Sequence, residues 1–292
     1  MADPTYEELS RPLPLTSPKR WYYGGLRRVL RAASPLSEGL SIGFRHGFDS
    51  GVMLEHVYRN RPTGRGPLGR LIDRTYLNTP GWKGIRARGE LVKDALRAAL
   101  HEQAQAQPGR GTVRLLDVAC GGGRYDLEVL AELQRSSPDL TVQATLRDYA
   151  PVNVESARAL GEELGVRGVT YEQADAFSDE DLARAVQGGP VDIAVVSGLH
   201  EILSDDALIE RHYRQLGRVV RPGGTLIYTL QPTHPQVELI ARALPSHTGE
   251  RWVMRLRSRE LVGGWAQAGG FQTVARWMEP QGIFGVVLAR RV

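Results

Sequence analysis

The segment Val113-Arg-Leu-Leu-Asp117-Val-Ala119-Cys-Gly121-Gly-Gly123-Arg-Tyr125 ends an apolar run in a carboxylate. Three glycines follow, then a stretch carrying Leu127, Val129 and Leu130 at helical spacing. Strand, glycine turn and helix together form a nucleotide-binding arrangement. Glycines adopt torsions closed to other residues and let the main chain approach a ligand, and the start of the helix offers unpaired N–H groups. A dinucleotide site would space its glycines G-x-G-x-x-G. Here the pattern is D-x-A-x-G-x-G, with no third glycine at that offset. Two further acids follow later apolar runs. Asp148 closes the run 140–147, where a carboxylate can accept both hydroxyls of an adenosine ribose, and Asp175 follows the run 169–171 in Gln173-Ala-Asp-Ala176-Phe177. Each acid alone reads more readily as a solvated strand end than as a ligand site. Three in register on consecutive strands favour a bound ligand.

The elements that must position these acids are legible from periodicity. Short apolar runs at 113–118, 140–146, 169–171, 191–196, 224–230, 271–277 and 283–288 alternate with helical stretches, which predicts an α/β chain with a parallel sheet covered on both faces. Only Met278-Glu-Pro-Gln-Gly282 separates the last two runs. That is too short for a crossover helix, so the last strand is expected to be antiparallel, at or near the sheet edge. Before the first run, Leu26, Val29 and Leu30 are spaced for one helical face, as are Leu91, Ala95, Leu96 and Leu100. The expected organisation is an irregular arm over 1–20 (Pro12, Pro14, Pro18), a helical cap over 21–110, and the α/β domain over 111–292. The stretch 105–111, with Pro108, Gly109 and Gly111, reads as a linker.

Composition narrows the classes. The 292 residues are 41% hydrophobic, and 37 Lys+Arg face 33 Asp+Glu, as in ordinary globular proteins. Lysine occurs only at Lys19, Lys83 and Lys93, so a formal charge of +4 rests on arginine and is explained by genome composition as readily as by a ligand. One cysteine, Cys120, excludes a disulfide framework and a Cys-rich zinc site; no metal site is expected, and the compartment is read as reducing and cytoplasmic. No apolar run approaches the roughly 20 residues that span a bilayer, and no export signal is visible.

At Asp117, Ala119, Gly121 and Gly123 the sequence resembles the class I S-adenosylmethionine-dependent methyltransferases, whose first motif is D/E-x-G-x-G-x-G with Ala tolerated at the first glycine. The resemblance implies a Rossmann-like seven-stranded sheet with an antiparallel last strand, and S-adenosyl-L-methionine as cofactor. It places the glycine loop around the methionine part, Asp148 on the ribose and Asp175 beside the adenine amino group. Ala176 or Phe177 would lie against the ring, and Ser197 would join the cofactor site. A narrower resemblance, from about Ser34 onward, is to a bacterial methyltransferase family sometimes fused or associated with an α/β-hydrolase domain. Its marks are Gly47-Phe-Asp-Ser-Gly-Val-Met-Leu54, Val57-Tyr-Arg-Asn60, Ile72-Asp-Arg-Thr-Tyr-Leu-Asn78, Gly81-Trp-Lys-Gly-Ile-Arg86, Ser197-Gly-Leu-His-Glu201, Gln231-Pro-Thr-His-Pro-Gln236, and Ser246-His247 leading to Trp252-Val-Met-Arg255. It names no acceptor.

The acceptor side therefore rests on the residues. Loops after the fourth and fifth strands face the ligand end of such a sheet, which singles out His200, Glu201, Gln231 and His234. A neutral histidine suits removal of a proton from a hydroxyl or amine; the plain alternatives are a surface or capping role. Arg251 and Arg255, in a cluster with His247, Arg257 and Arg259, read either as a solvated face or as an anion pocket. There is no aromatic-interleaved basic platform and no D/N-P-P-Y/F signature, which disfavours nucleic acid. Trp21, Tyr22 and Tyr23 could rest on a lipid surface. The expected function is methyl transfer to oxygen or nitrogen of a small or lipid-derived anionic acceptor. The alternatives are an RNA or protein methyltransferase and a non-catalytic S-adenosylmethionine-binding protein.

Overall fold

A computed structural model describes residues 3–106 and 111–292. The first part is helical: α1 (Tyr6–Ser10), α2 (Pro18–Ala33), α3 (Glu38–His46), α4 (Gly51–Arg59), α5 (Gly66–Leu77) and α6 (Pro80–Ala106). Then β1 (Thr112–Asp117), α7 (Arg124–Ser136), β2 (Thr141–Asp148), α8 (Pro151–Leu164), β3 (Val169–Gln173), α9 (Asp179–Ala185) and β4 (Val191–Val196) alternate. α10 (Leu199–Ile202), α11 (Asp206–Val219), β5 (Val220–Leu230), α12 (Val237–Ala243), α13 (Arg259–Ala268), β6 (Phe271–Met278) and β7 (Gly285–Arg291) complete the chain. The expected linker and the boundary at 110 fall largely outside the described residues; Gln105 and Ala106 are helical.

Two compact units emerge. The first comprises residues up to Ala87 with Gln231–Leu256 and Pro280–Phe284; the second comprises Arg88–Leu230, Arg257–Glu279 and Gly285–Val292.

The second unit holds one seven-stranded sheet in the order β3-β2-β1-β4-β5-β7-β6. β1 to β5 run parallel, and β7 is antiparallel to both β5 and β6. The last strand therefore lies one place in from the edge, which β6 occupies. β4 is Val-Asp-Ile-Ala-Val-Val with all six residues buried, as a strand covered on both faces requires. One face packs Val196, Leu226 and Tyr228 against Ile209, Tyr213 and Leu216 of α11 and Trp265 of α13. The other packs Leu115, Ile193 and Val195 against Val92, Leu96 and Leu100 of α6 and Val129 and Leu130 of α7. Burial of each such side chain is worth about 1.5–3 kcal/mol. Asp192, buried in β4, accepts from Arg221 Nε at 2.6 Å and from the Arg114 backbone N–H at 2.8 Å, and so fixes the start of the central strands.

The first unit gathers Phe48, Met53, Leu77, Trp82 and Phe284 into one core, and Leu9, Val237, Ile240, Ala241 and Met254 into another. Leu9 belongs to α1, so the arm over 1–20 carries a short helix. Its capping box, Thr5 with Glu8, closes at 2.8 and 3.2 Å. Five residues cannot sustain a helix alone. Arg242 holds this one by donating to the carbonyls of Glu8, Leu9 and Arg11 at 3.0, 3.0 and 2.5 Å. Leu26, Val29 and Leu30 lie on one face of α2, as their spacing predicts; Leu26 and Leu30 are half buried, while Val29 is 64% exposed.

Candidate functional site

The glycine loop forms at the carboxyl end of β1. Gly121 and Gly123 adopt φ of 55° and 63°, a region that favours glycine. A Cβ at Gly123 would stand 3.1–3.3 Å from Leu146, Ala157 and Leu127, whereas nothing lies within 4 Å of one at Gly121. Gly121 thus faces open space where a ligand can approach. Asp148 fastens the loop. Its Oδ2 accepts from Gly121 N–H at 2.9 Å, while Oδ1 accepts from Ala150 N–H and Asn153 Nδ2, each at 2.9 Å. Oδ1 is filled by its two donors, whereas Oδ2 keeps one lone pair, so Asp148 can accept a ribose hydroxyl there without giving up a present bond. Cys120, 4% exposed among Leu127, Leu146 and Ala157, donates its backbone N–H to Arg147 O at 2.8 Å.

Asp117 is fully buried. Its Oδ1 accepts from Ala119 N–H at 3.0 Å, and Oδ2 has no partner. Asp126, from the first turn of α7, is also fully buried with neither oxygen partnered. Burial raises the Asp117 carboxyl to about 7, with repulsion from Asp148 adding to it, and lifts that of Asp126 well above the ordinary carboxylate range, with repulsion from Asp117 adding to it. Burial and repulsion between the two acids thus keep a proton on the pair. Asp126 was not singled out in the sequence; its position three residues after Gly123, on the face opposite solvent, is the signal that could have found it.

The remaining expected cofactor residues spread along the same strand ends. Asp175 is exposed, with Oδ1 accepting from Phe177 N–H at 2.9 Å and its own N–H given to Asp181 at 2.7 Å. Ala176 is buried, and the Phe177 ring packs on His212 at 4.6 Å. Ser197 follows β4 with a buried hydroxyl that has no partner.

Beside Ser197, His200 and Glu201 are buried on α10. His200 Nε2 lies 2.8 Å from His212 Nδ1, and desolvation holds both rings neutral, His212 at about 3 and His200 well below the usual histidine value. Both carboxylate oxygens of Glu201 are buried and unpartnered. Arg257 is structural: it donates to Asp206 at 2.8 Å, His200 O at 3.0 Å and Leu203 O at 2.7 Å, and so holds this loop.

In the first unit, His234 is 3% exposed and its Nδ1 accepts from Gln236 N–H at 3.0 Å. The ring proton consequently sits on Nε2, and burial lowers the pKa to about 4. Gln231 is buried, with Nε2 3.6 Å from Met254 Sδ. Arg251 donates to Ser10 O at 2.7 Å, and Arg255 pairs with Glu7 at 3.5 Å and covers the Tyr6 ring at 5.1 Å. Both arginines thus hold oxygens of the α1 segment. The sequence did not pair His247 with Asp49, which the structure joins: Asp49, buried, accepts from both the backbone and Nδ1 of His247. Among the described residues no three His, Cys, Asp or Glu side chains converge to hold a metal ion.

Residues 2–291 match the family described as "Putative methyltransferase". The chain belongs to this family. Over 286 residues it is 40% identical to "Uncharacterized protein YnbC" of Escherichia coli (strain K12), a match covering 96% of this chain and 46% of that protein. The chain therefore spans about half the length of that curated relative. Among solved structures, a protein of Bordetella parapertussis described as a possible exported protein superposes with a TM-score of 0.65 at 20% identity, over 94% of this chain and 99% of its own. Magnesium protoporphyrin IX methyltransferase from Synechocystis PCC 6803, with bound SAH, superposes with a TM-score of 0.58 at 13% identity, over 85% and 97%. The seven-stranded sheet of this family member, with its antiparallel β7, is the class I methyltransferase fold.

Proposed function

We propose that the chain transfers a methyl group from S-adenosylmethionine to an oxygen or nitrogen of a small or lipid-derived anionic acceptor. The carrying observation is the cradle at the end of β1: a glycine loop open at Gly121, the spare oxygen of Asp117 beneath it, and Asp148 bonded to the loop itself. These residues fit the cofactor. Asp117 would meet its ammonium group, Asp148 the ribose, and the 175–177 turn with Ser197 the base. The sulfonium supplies an activated methyl group, so alignment is the main contribution asked of the protein.

Proton removal is assigned to Glu201, because its two oxygens are free of partners while His200 shares its proton with His212 and His234 has committed its lone pair. The anionic character of the acceptor is supported by Arg251 and Arg255, whose present partners are a carbonyl and a carboxylate that a ligand oxyanion could replace. Cytoplasmic action and association with an α/β-hydrolase belong to the same proposal. They are tested by fractionation and co-purification.

The test is incubation with methyl-labelled cofactor and separated lipid, metabolite, RNA and protein fractions of a bacterial lysate. Label should enter a lipid or metabolite, and Glu201→Gln should cut turnover on the order of a hundredfold while leaving cofactor affinity unchanged. Label in RNA or protein alone would overturn the small-acceptor assignment. Binding without transfer to any fraction would identify a non-catalytic protein.

A further inference from the structure

The apolar face of α2 is broader than the part the fold covers. Tyr23, Leu26, Leu30 and Ala33 are half buried, with Leu30 and Ala33 against the Phe48 core. On the adjoining arc of the same face Trp21, Tyr22 and Val29 are 73%, 63% and 64% exposed, and Leu15, just before the helix, is 72% exposed. A surface helix of a globular protein ordinarily shows one apolar stripe. An exposed extension of that stripe bearing Trp and Tyr marks a surface that meets something.

The charge says what. α2 carries Lys19, Arg20, Arg27, Arg28 and Arg31 and no acid. Lys19 is tied to Glu238 at 2.9 Å, and Arg31 lies over the Phe44 ring at 5.6 Å. Arg28, beside Val29 on the outer side, has no partner among the described residues. Gly24 and Gly25 lie in the middle of the helix with nothing within 4 Å of a Cβ at either, so no packing in the chain explains them.

We infer that the outer side of α2 docks on an anionic lipid bilayer. Tryptophan and tyrosine rings combine an apolar body with a polar edge and settle at the headgroup level. A helix with aromatic and aliphatic groups on one side and arginines flanking them lies in the interface rather than across it. No helix among the described residues is long and apolar enough to cross a membrane. Charge complementarity selects the partner: a neutral bilayer rewards only the apolar groups, whereas phosphatidylglycerol headgroups also attract the arginine flank within a Debye length. This surface goes beyond the methyl-transfer reading, since docking needs neither cofactor nor acceptor.

The test is sedimentation of the full chain with phosphatidylcholine vesicles, with and without phosphatidylglycerol, beside calorimetry of S-adenosylmethionine binding. Binding to the anionic vesicles should exceed binding to neutral ones by about tenfold or more. It should fall as NaCl rises from about 50 mM to about 500 mM. Tryptophan emission should shift to the blue on binding. Trp21→Ser should abolish most of that shift, and Arg28→Glu should weaken anionic binding roughly tenfold or more. Both positions are exposed, so both variants should fold and keep cofactor affinity. Equal partition into neutral vesicles, or no partition at all, would overturn the inference. So would concentration-dependent self-association lost in Trp21→Ser, which would make the face an interface between copies. Cofactor binding without vesicle binding would leave the methyl-transfer reading standing alone; the reverse would leave the docking surface standing alone.

Discussion

His247 Nδ1 lies 2.8 Å from Asp49 Oδ2, and the other oxygen of that carboxylate accepts the His247 backbone N–H at 2.6 Å. Two loops 198 positions apart are clasped by one side chain. Gly47 allows the approach, because a Cβ there would stand 2.2 Å from the His247 nitrogen. Asp49→Ala should cost about 1–3 kcal/mol of local stability. Amide exchange across 245–251 should then quicken on the order of tenfold to a hundredfold. Exchange unchanged from the parent would show the clasp to be energetically idle.

Asp148 joins loop and ligand, so its removal has two effects. Asp148→Ala should lower S-adenosylmethionine affinity by roughly 1.5–3 kcal/mol for lost bonds to a charged group. It also strips Gly121 N–H of its acceptor. Calorimetry should show the loss for both the cofactor and its demethylated product; equal affinity in parent and variant would remove Asp148 from the site.

The Asp117–Asp126 pair makes stability depend on pH. Asp117 is raised from 3.8 to about 7 by burial. Between those values the unfolded chain has released a proton that the folded chain keeps. This contribution is whole below 3.8, declines as pH rises toward 7, and is flat beyond. Asp117→Asn should therefore gain on the parent as pH climbs through that window, measured by urea unfolding at pH 5 and pH 8. A difference that does not move with pH would refute the shared proton.

His234 pulls the other way. Its pKa drops from 6.5 to about 4 through burial. Here the unfolded chain holds the proton that the folded chain lacks, so the stability it lends is complete above 6.5 and drains away as pH falls toward 4. His234→Gln should flatten the acid limb of the stability profile. The turnover profile should show no inflection near pH 6–7 from this ring; one that disappears in the variant would restore His234 as the base.

Strand ends and glycine loop were readable because each is local. Val191 to Val196 is apolar throughout since both faces are covered, and Gly121 and Gly123 reveal themselves by residue type. β5 begins at Val220 rather than at Gly224, because Asp192 binds Arg221 and draws Arg-Pro-Gly-Gly into the strand. Long-range partners left no such trace. Arg251 and Arg255 announced positive charge, but not that α1 supplies their oxygens. His200 read as a loop histidine until α11 set His212 against it. The Thr5-x-x-Glu8 capping box was present in the sequence, obscured by the prolines around it.

Cys120 gives the chain a built-in chemical clock. Its sulfur sits under the glycine loop, and burial with three nearby carboxyls pushes the thiol well above its usual pKa. A thiol reagent can reach it only when the loop lifts, and no second cysteine competes for the label. The alkylation rate of the unmodified protein therefore counts loop openings, and a molecule seated on Gly121 slows the count in proportion to its occupancy.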